Sequence, residues 1–251
     1  MSVVNISTYR FVSIPLESLE ALRVVFLENL TLIGLKGTVI LSSEGINIGL
    51  AGRSDQIQAF RDFLENTPVL SDLFSNLAFK ESYSNMVPFG KLKIKIKKQL
   101  VPGGDERSCP LSLDSKYTAE YLSPSVLKQW LEEKKDFILL DTRNSYEFER
   151  GSFKGAVHYD LERFNQIEAY FKNSDSMVLD KPVVTFCTGG IRCERGAPLA
   201  KVAGFKNVYQ LDGGILKYFE ECGGAFWRGD CFVFDDRVAL TPELKPVFDL
   251  V

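Results

Sequence analysis

A chain of 251 residues, 45% hydrophobic and 25% charged with a net charge of −3, has the make-up of an ordinary globular protein. Its length predicts two domains of roughly 100–200 residues each. No apolar run approaches the roughly 20 residues of a membrane span, and the opening Met1-Ser2-Val3-Val4-Asn5 lacks the basic and apolar segments of an export signal. The expected setting is therefore the cytoplasm, with no membrane partner.

The first hundred residues alternate between the two hydrophobic periods. Residues 3–12 read as a strand that Pro15 interrupts. Leu19, Leu22, Phe26, Leu30 and Ile33 follow helical spacing up to Gly34, and 37–41 return to a strand. The turn Ser43-Glu44-Gly45 leads into a second strand, where Ile46, Ile48 and Leu50 alternate with Asn47 and Gly49. Ile57, Phe60, Phe63 and Leu64 mark another amphipathic helix, and residues 77–83 a further strand. This β-α-β-β-α-β order predicts a ferredoxin-like α+β domain over residues 1–100.

One more strand follows. Lys91, Lys93, Lys95 and Lys97 alternate with Leu92, Ile94 and Ile96, so a period of two gathers four ammonium groups on one face. Two readings stand side by side. Lysines guard an exposed sheet edge against aggregation, or they form a basic stripe for a phosphate backbone. Residues 1–100 carry 11 lysines and arginines against 9 acidic residues, whereas 101–251 carry 19 against 24, so a polyanion would prefer the first part.

Residues 101–123, with Pro102-Gly103-Gly104-Asp105 and Cys109-Pro110, show little periodicity and read as a linker. From there strands alternate with helices, the pattern of a parallel α/β sheet, over residues 124–225, with 226–251 as a C-terminal extension. Within that domain the run Val183-Val184-Thr185-Phe186 drops into Cys187, then Thr188, Gly189, Gly190, Ile191 and Arg192, and a helix begins at Cys193. Glycines let backbone N–H groups turn toward the sulfur, and the positive end of a following helix points at it. Such surroundings lower a cysteine pKa from its free value of about 8.5 and make it a nucleophile. The other cysteines (109, 193, 222 and 231) are scattered, no CxxC pair occurs, and His158 is the single histidine. Disulfide framework, structural zinc and cysteine–histidine hydrolysis are all disfavoured. No nucleotide-binding glycine motif or metal-ligand cluster is evident, so no organic or metal cofactor is expected. Cys193, six residues beyond Cys187, reads either as a helix-packing residue or as a resolving thiol for an oxidised Cys187.

The segments Leu140-Asp141-Thr142-Arg143, Gly151-Ser152-Phe153-Lys154-Gly155-Ala156, Cys187 through Arg192 and Leu211-Asp212-Gly213-Gly214 together resemble the rhodanese domain. The resemblance implies that Cys187 carries a persulfide cradled by loop N–H groups, with the Arg192 position closing the loop. The spacing from Cys187 to Arg192 is Cys-x4-Arg, one residue shorter than the Cys-x5-Arg loop of the related phosphatases. A loop this tight suits one sulfur better than a phosphate. Position 158 is histidine where rhodaneses more often have asparagine, and His158 is expected to be structural.

Adding Glu44-Gly45-Ile46-Asn47, the run 87–95 and Cys231 through Arg237 extends the resemblance over nearly the whole chain, to the bacterial tRNA uridine hydroxylases. It implies oxygen-dependent 5-hydroxylation of the wobble uridine of tRNA. Cys187 would be essential, molecular oxygen the co-substrate, tRNA the partner, and no protein partner is implied. Longer members of that family extend into a cysteine-rich tail, whose contributions are not carried over. With this resemblance the lysine stripe is expected to contact tRNA. The alternatives are a sulfurtransferase acting through a cysteine persulfide and a sulfur- or redox-sensing interaction module. Asp141, Arg143, Glu147 and Arg150 are expected to form a salt-bridged scaffold under the loop. Trp227 and Phe226 either stack on a base or seal a junction.

Overall fold

The computed structural model describes residues 2–104, 106–174 and 178–248. The chain divides into two compact units. The first takes residues 1–100 together with Asp235–Arg237 and contains β1 (Val3–Phe11), α1 (Leu19–Ile33), β2 (Lys36–Ser42), β3 (Gly45–Gly52), α2 (Ser54–Asn66), α3 (Pro68–Phe74), β4 (Lys80–Ser84) and β5 (Leu92–Ile96). Its sheet runs β4-β1-β3-β2-β5. Each of the first four strands is antiparallel to its sheet neighbours among them, in ferredoxin-like order, and β5 adds in parallel to β2 at the edge. The alternation read in β1 and β3 places Ile6, Ile46, Ile48 and Leu50 against Phe26 and Leu30 of α1 and Phe60 of α2 in one core.

Two details depart from the sequence reading. The fourth strand starts at Lys80 rather than residue 77, because Leu77 and Phe79 pack against the core before strand pairing begins. The short helix α3, opened by Pro68 at its first turn, was not anticipated; seven residues give too little periodicity to read.

The second unit holds residues 101–234 and 238–251. Its central sheet, β6-β11-β10-β7-β9, is parallel throughout. It is built from β6 (Glu120–Leu122), α4 (Pro124–Glu132), β7 (Ile138–Asp141), α5 (Ser145–Arg150), β8 (Gly151–Phe153), β9 (Val157–His158), α6 (Ile167–Lys172), β10 (Val183–Phe186), α7 (Cys193–Val202), β11 (Val208–Leu211) and α8 (Gly214–Cys222). All four residues of β10 are buried, which is why this strand reads as a continuous apolar run without alternation. Two hydrophobic clusters flank the sheet, one around Phe164, Phe171 and Leu199, the other around Phe153, Phe186, Tyr218 and Trp227.

The stretch 101–123 is not a free linker over its described residues (Asp105 lies outside them). Val101 and Ala119 join the core, β6 extends the sheet, and Arg195 donates to the Gly103 carbonyl at 3.1 Å. Arg195 is fully buried, so an apparently aperiodic segment is ordered by covering a guanidinium. The extension supplies β12 (Trp227–Gly229), paired with β8, and a small sheet of β13 (Cys231–Phe232), β14 (Ala239–Leu240) and β15 (Pro246–Val247). Its last three residues, 249–251, lie outside the described residues. Asp235–Arg237 belong to the first unit, where Arg237 pairs with Asp235 and donates to Ser82 Oγ at 2.6 Å.

Candidate active site

Cys187 sits where β10 ends, at the carboxyl edge of the parallel sheet, the usual place for a ligand site in open α/β folds. Phe186, immediately before it, meets Phe153 edge-on at 5.0 Å, and its carbonyl accepts from both the Thr142 N–H and Thr142 Oγ1. The strand end is thereby fixed before the loop begins. The loop then turns at Gly190, whose φ of +97° is open to glycine without strain. That turn aims the Gly190 N–H at Cys187 Sγ, 3.2 Å away. The Arg192 N–H also points at the sulfur.

A second helix closes the loop from the other side. Ile215 and Leu216 of α8 donate their N–H groups to the carbonyls of Cys187 and Thr188, at 3.0 and 3.1 Å. This close approach depends on Gly214, with φ +66°: a Cβ there would collide with the Cys187 carbonyl oxygen and lie 2.7 Å from Gly190 N. The Asp212-Gly213-Gly214 motif thus has a steric cause. Among the loop residues the side chains of Thr188 and Ile191 are half-buried, and a Cβ on Gly189 would meet nothing within 4 Å.

The electrostatics favour a thiolate. Cys187 is only 1% exposed, and that burial works against ionisation. It is outweighed by a hydrogen bond from the Cys193 thiol, the Arg192 guanidinium and the inward N–H groups of Arg192 and Gly190, so the Cys187 pKa falls below its ordinary value. The proton of the pair stays on the neighbour. Burial and the adjacent Cys187 push Cys193 well up, and Thr142 Oγ1 lies 3.7 Å from the Cys193 sulfur. Cys193 thus occupies the first turn of α7 and also lies against the Cys187 sulfur.

Beneath the loop lies an ionic scaffold that joins Asp141, Arg143 and Glu147, three of the four residues expected there, with Arg192. Arg192 donates to both Glu147 oxygens at 2.6 and 2.7 Å. Glu147 is fully buried, and Arg192 nearly so. Burial alone would lower the Arg192 pKa, but the Glu147 carboxylate raises it further, so the guanidinium is a fixed cation. Arg143 makes a parallel pair with Asp141 and donates to the Gly151 carbonyl at 2.5 Å. Ser152 Oγ donates to the remaining Asp141 lone pair at 2.8 Å. His158 accepts the Asp160 N–H at Nδ1, donates from Nε2 to the Arg143 carbonyl at 2.8 Å, and stacks on Phe148. It supports the scaffold and does not face the sulfur.

The reading left open for Trp227 resolves toward packing. Trp227 is 6% exposed, packed against Phe153 and Phe219 with its Nε1–H on the Gly229 carbonyl, and is no stacking platform for a base. Cys231 is wholly buried, and burial pushes its thiol up to about 12, so it is not a second nucleophile. Arg195, the next arginine after Arg192, points to Gly103 and Ser108 and not into the loop. Sequence reasoning missed the pairing of Glu147 with Arg192 across 45 positions and the fit of Gly214 against the loop; the double glycine at 213–214 was the available signal for the second.

The Lys91, Lys93, Lys95 and Lys97 side chains belong to the first unit and all are exposed, with Leu92 and Ile94 packed inward on its core. Among the described residues no group of three or more His, Cys, Asp or Glu side chains is arranged to hold a metal ion, and no helix is long and apolar enough to cross a membrane.

Comparison with known proteins matches residues 3–100 to the UPF0176 acylphosphatase-like domain and residues 123–221 to the rhodanese-like domain. A solved rhodanese-like domain from Anabaena sp. covers 45% of this chain and 80% of its own at 22% identity, with a TM-score of 0.37, too loose a superposition to carry an argument. Two full-length relatives are far nearer. The tRNA uridine(34) hydroxylase of Burkholderia thailandensis is 40% identical over 255 residues, covering 100% of this chain and 84% of its own. That of Burkholderia mallei is 40% identical with 83% of its own length covered. With both domains matched and that identity sustained from end to end, the chain belongs to the tRNA uridine(34) hydroxylase family.

Proposed function

We propose that this protein hydroxylates C5 of the wobble uridine of tRNA, with Cys187 as the reacting group and molecular oxygen as co-substrate. The observation that carries the reading is a desolvated cysteine whose charge is stabilised by Gly190 N–H, Arg192 and the Cys193 thiol. Its relatives that share both domains bear the hydroxylase name. The short Cys-x4-Arg loop from Thr188 to Arg192 wraps a sulfur that is only 1% exposed, which supports chemistry at the thiolate or at one atom added to it. Arg192, anchored by Glu147, holds positive charge beside the sulfur throughout. Lys91, Lys93, Lys95 and Lys97 supply contacts to the tRNA phosphates. The hydrogen bond between the two thiols supports Cys193 as the group that resolves an oxidised Cys187.

The same cradle favours one second reading, a sulfurtransferase carrying a persulfide on Cys187, since a rhodanese-like domain spans residues 123–221. Nucleoside mass spectrometry of tRNA from cells lacking the gene, and from cells carrying Cys187→Ser, separates the two. Loss of 5-hydroxyuridine derivatives in both is the expected result. Intact nucleosides with lost thiosulfate:cyanide activity would replace the hydroxylase reading by the sulfurtransferase one.

A further inference from the structure

The N-terminal sheet covers one face with helices and leaves the other for something else. Ile6, Val39, Leu41, Ile46, Ile48 and Leu50 point to the helices, so strand alternation turns Ser7 and Tyr9 of β1, Thr38 and Ile40 of β2, Asn47 and Gly49 of β3, and Lys93 and Lys95 of β5 to the opposite side. The pairing register aligns them in rows. Lys80, Ser7, Gly49, Thr38 and Lys93 form one line across all five strands, ending in a lysine at each edge. Tyr9, Asn47, Ile40 and Lys95 form the next. With strands about 4.8 Å apart, the two edge lysines stand roughly 19 Å from each other at the backbone.

We propose that this face seats the unpaired bases of the tRNA anticodon loop, with the edge lysines on phosphates and Tyr9 as the stacking ring. The inference rests on the reading of tRNA as substrate. Charge is its first support: the strand positions on this face include Lys36, Lys80, Lys93 and Lys95 and no carboxylate, since Glu81 lies on the other side with Arg61. Shape is the second. Ser7, Thr38 and Gly49 keep the middle shallow, and a Cβ on Gly49 would meet nothing within 4 Å, so the centre of the sheet is uncovered. Chemistry is the third. The Tyr9 ring has the Lys80 ammonium 5.7 Å from its centroid and Phe11 edge-on at 6.2 Å, a cationic and aromatic setting for a base. Asn47, one strand over, offers an amide that both donates and accepts at a base edge. The face has a closed end as well: Arg237, held by Asp235, donates to Ser82 Oγ beside Asn5, which confines the open area to the two rows.

The test is binding of the full-length chain to an anticodon stem-loop RNA with uridine at the wobble position, beside a duplex RNA of equal charge. Gly49→Glu adds a carboxylate where the sheet is open, without backbone strain, and Tyr9→Ala removes the ring while Tyr9→Phe keeps it. Stacking on one base predicts a loss of roughly 5- to 150-fold in stem-loop affinity for Tyr9→Ala, little for Tyr9→Phe, and a comparable loss for Gly49→Glu. Duplex binding should change less, and melting curves and Cys187 titration should match the parent protein. Unchanged stem-loop affinity in both Gly49→Glu and Tyr9→Ala would overturn the platform and leave the face to a protein partner, even with hydroxylation of tRNA intact. A parent chain that fails to bind the stem-loop at low salt would instead overturn the tRNA reading and the platform with it.

Discussion

The ionisation of Cys187 depends on a neighbour six residues away, and Cys193→Ala tests that dependence directly. In the native site the Cys193 thiol donates to the Cys187 sulfur, beside the Gly190 N–H at 3.2 Å. A hydrogen bond to a charged acceptor contributes about 1.5–3 kcal/mol, and a thiol is a weak donor, so the lower end applies. At 1.36 kcal/mol per pKa unit, losing it raises the Cys187 midpoint by roughly one unit. Gly190, the Arg192 N–H and the Arg192 guanidinium remain, so the midpoint should stay below the free value of about 8.5. The small void left by the missing sulfur costs about 1 kcal/mol of stability and does not open the loop. Thiolate absorbance followed against pH, with Cys187→Ser as the blank, measures the midpoint without requiring a reagent to reach a buried sulfur. Cys193→Ser keeps a donor at the same position and should recover most of the shift. Identical midpoints in the parent and Cys193→Ala would refute the role of the second thiol. A parent midpoint near 8.5 would refute the ionised site altogether.

Further outcomes follow from the same geometry. Glu147→Gln leaves the Arg192 charge buried without its counterion and should destabilise the protein by about 3–5 kcal/mol, lowering the melting temperature by roughly 10 °C; a loss below about 1 kcal/mol would mean that solvent screens the pair. Gly214→Ala forces a left-handed φ on a residue with a Cβ and drives that Cβ into the Cys187 carbonyl, so calorimetry should show a loss of more than about 1–3 kcal/mol, whereas Gly189→Ala, with open space around it, should melt like the parent. Because the folded pKa of Cys187 lies below the unfolded one, its contribution to stability is present above about pH 8.5 and is lost as pH falls through the folded midpoint. The melting-temperature advantage of the parent over Cys187→Ser should accordingly grow with pH in that window, and a flat difference would contradict the shift. Replacing Lys91, Lys93 and Lys95 by alanine should weaken tRNA binding and flatten its logarithmic salt dependence by about 2, leaving Cys187 titration intact; unchanged binding at low salt would return the stripe to the role of an edge guard.

The sequence by itself determined what short-range pattern can determine. Period-two alternation in 3–11 and 45–52, period-3.6 spacing in 19–33, and an apolar run broken by Cys187 and two glycines fix local conformation, because each depends on which side of one element faces away from water. The same is true of the lysine alternation, legible as a strand though not as the parallel edge partner of β2. Only the tertiary structure decided which distant groups meet. Glu147 reaches Arg192 across 45 positions and Arg237 reaches Ser82 across 155. Residues 101–123 lack periodicity because their order comes from covering Arg195 and adding β6 to a sheet, not from a repeating face. Gly214 looks like a helix start in sequence, and its need for φ +66° against the Cys187 carbonyl exists only once α8 is packed on the loop. Propensity acts within a few residues along the chain, whereas burial pairs charges and excludes side chains according to where the folded backbone brings them.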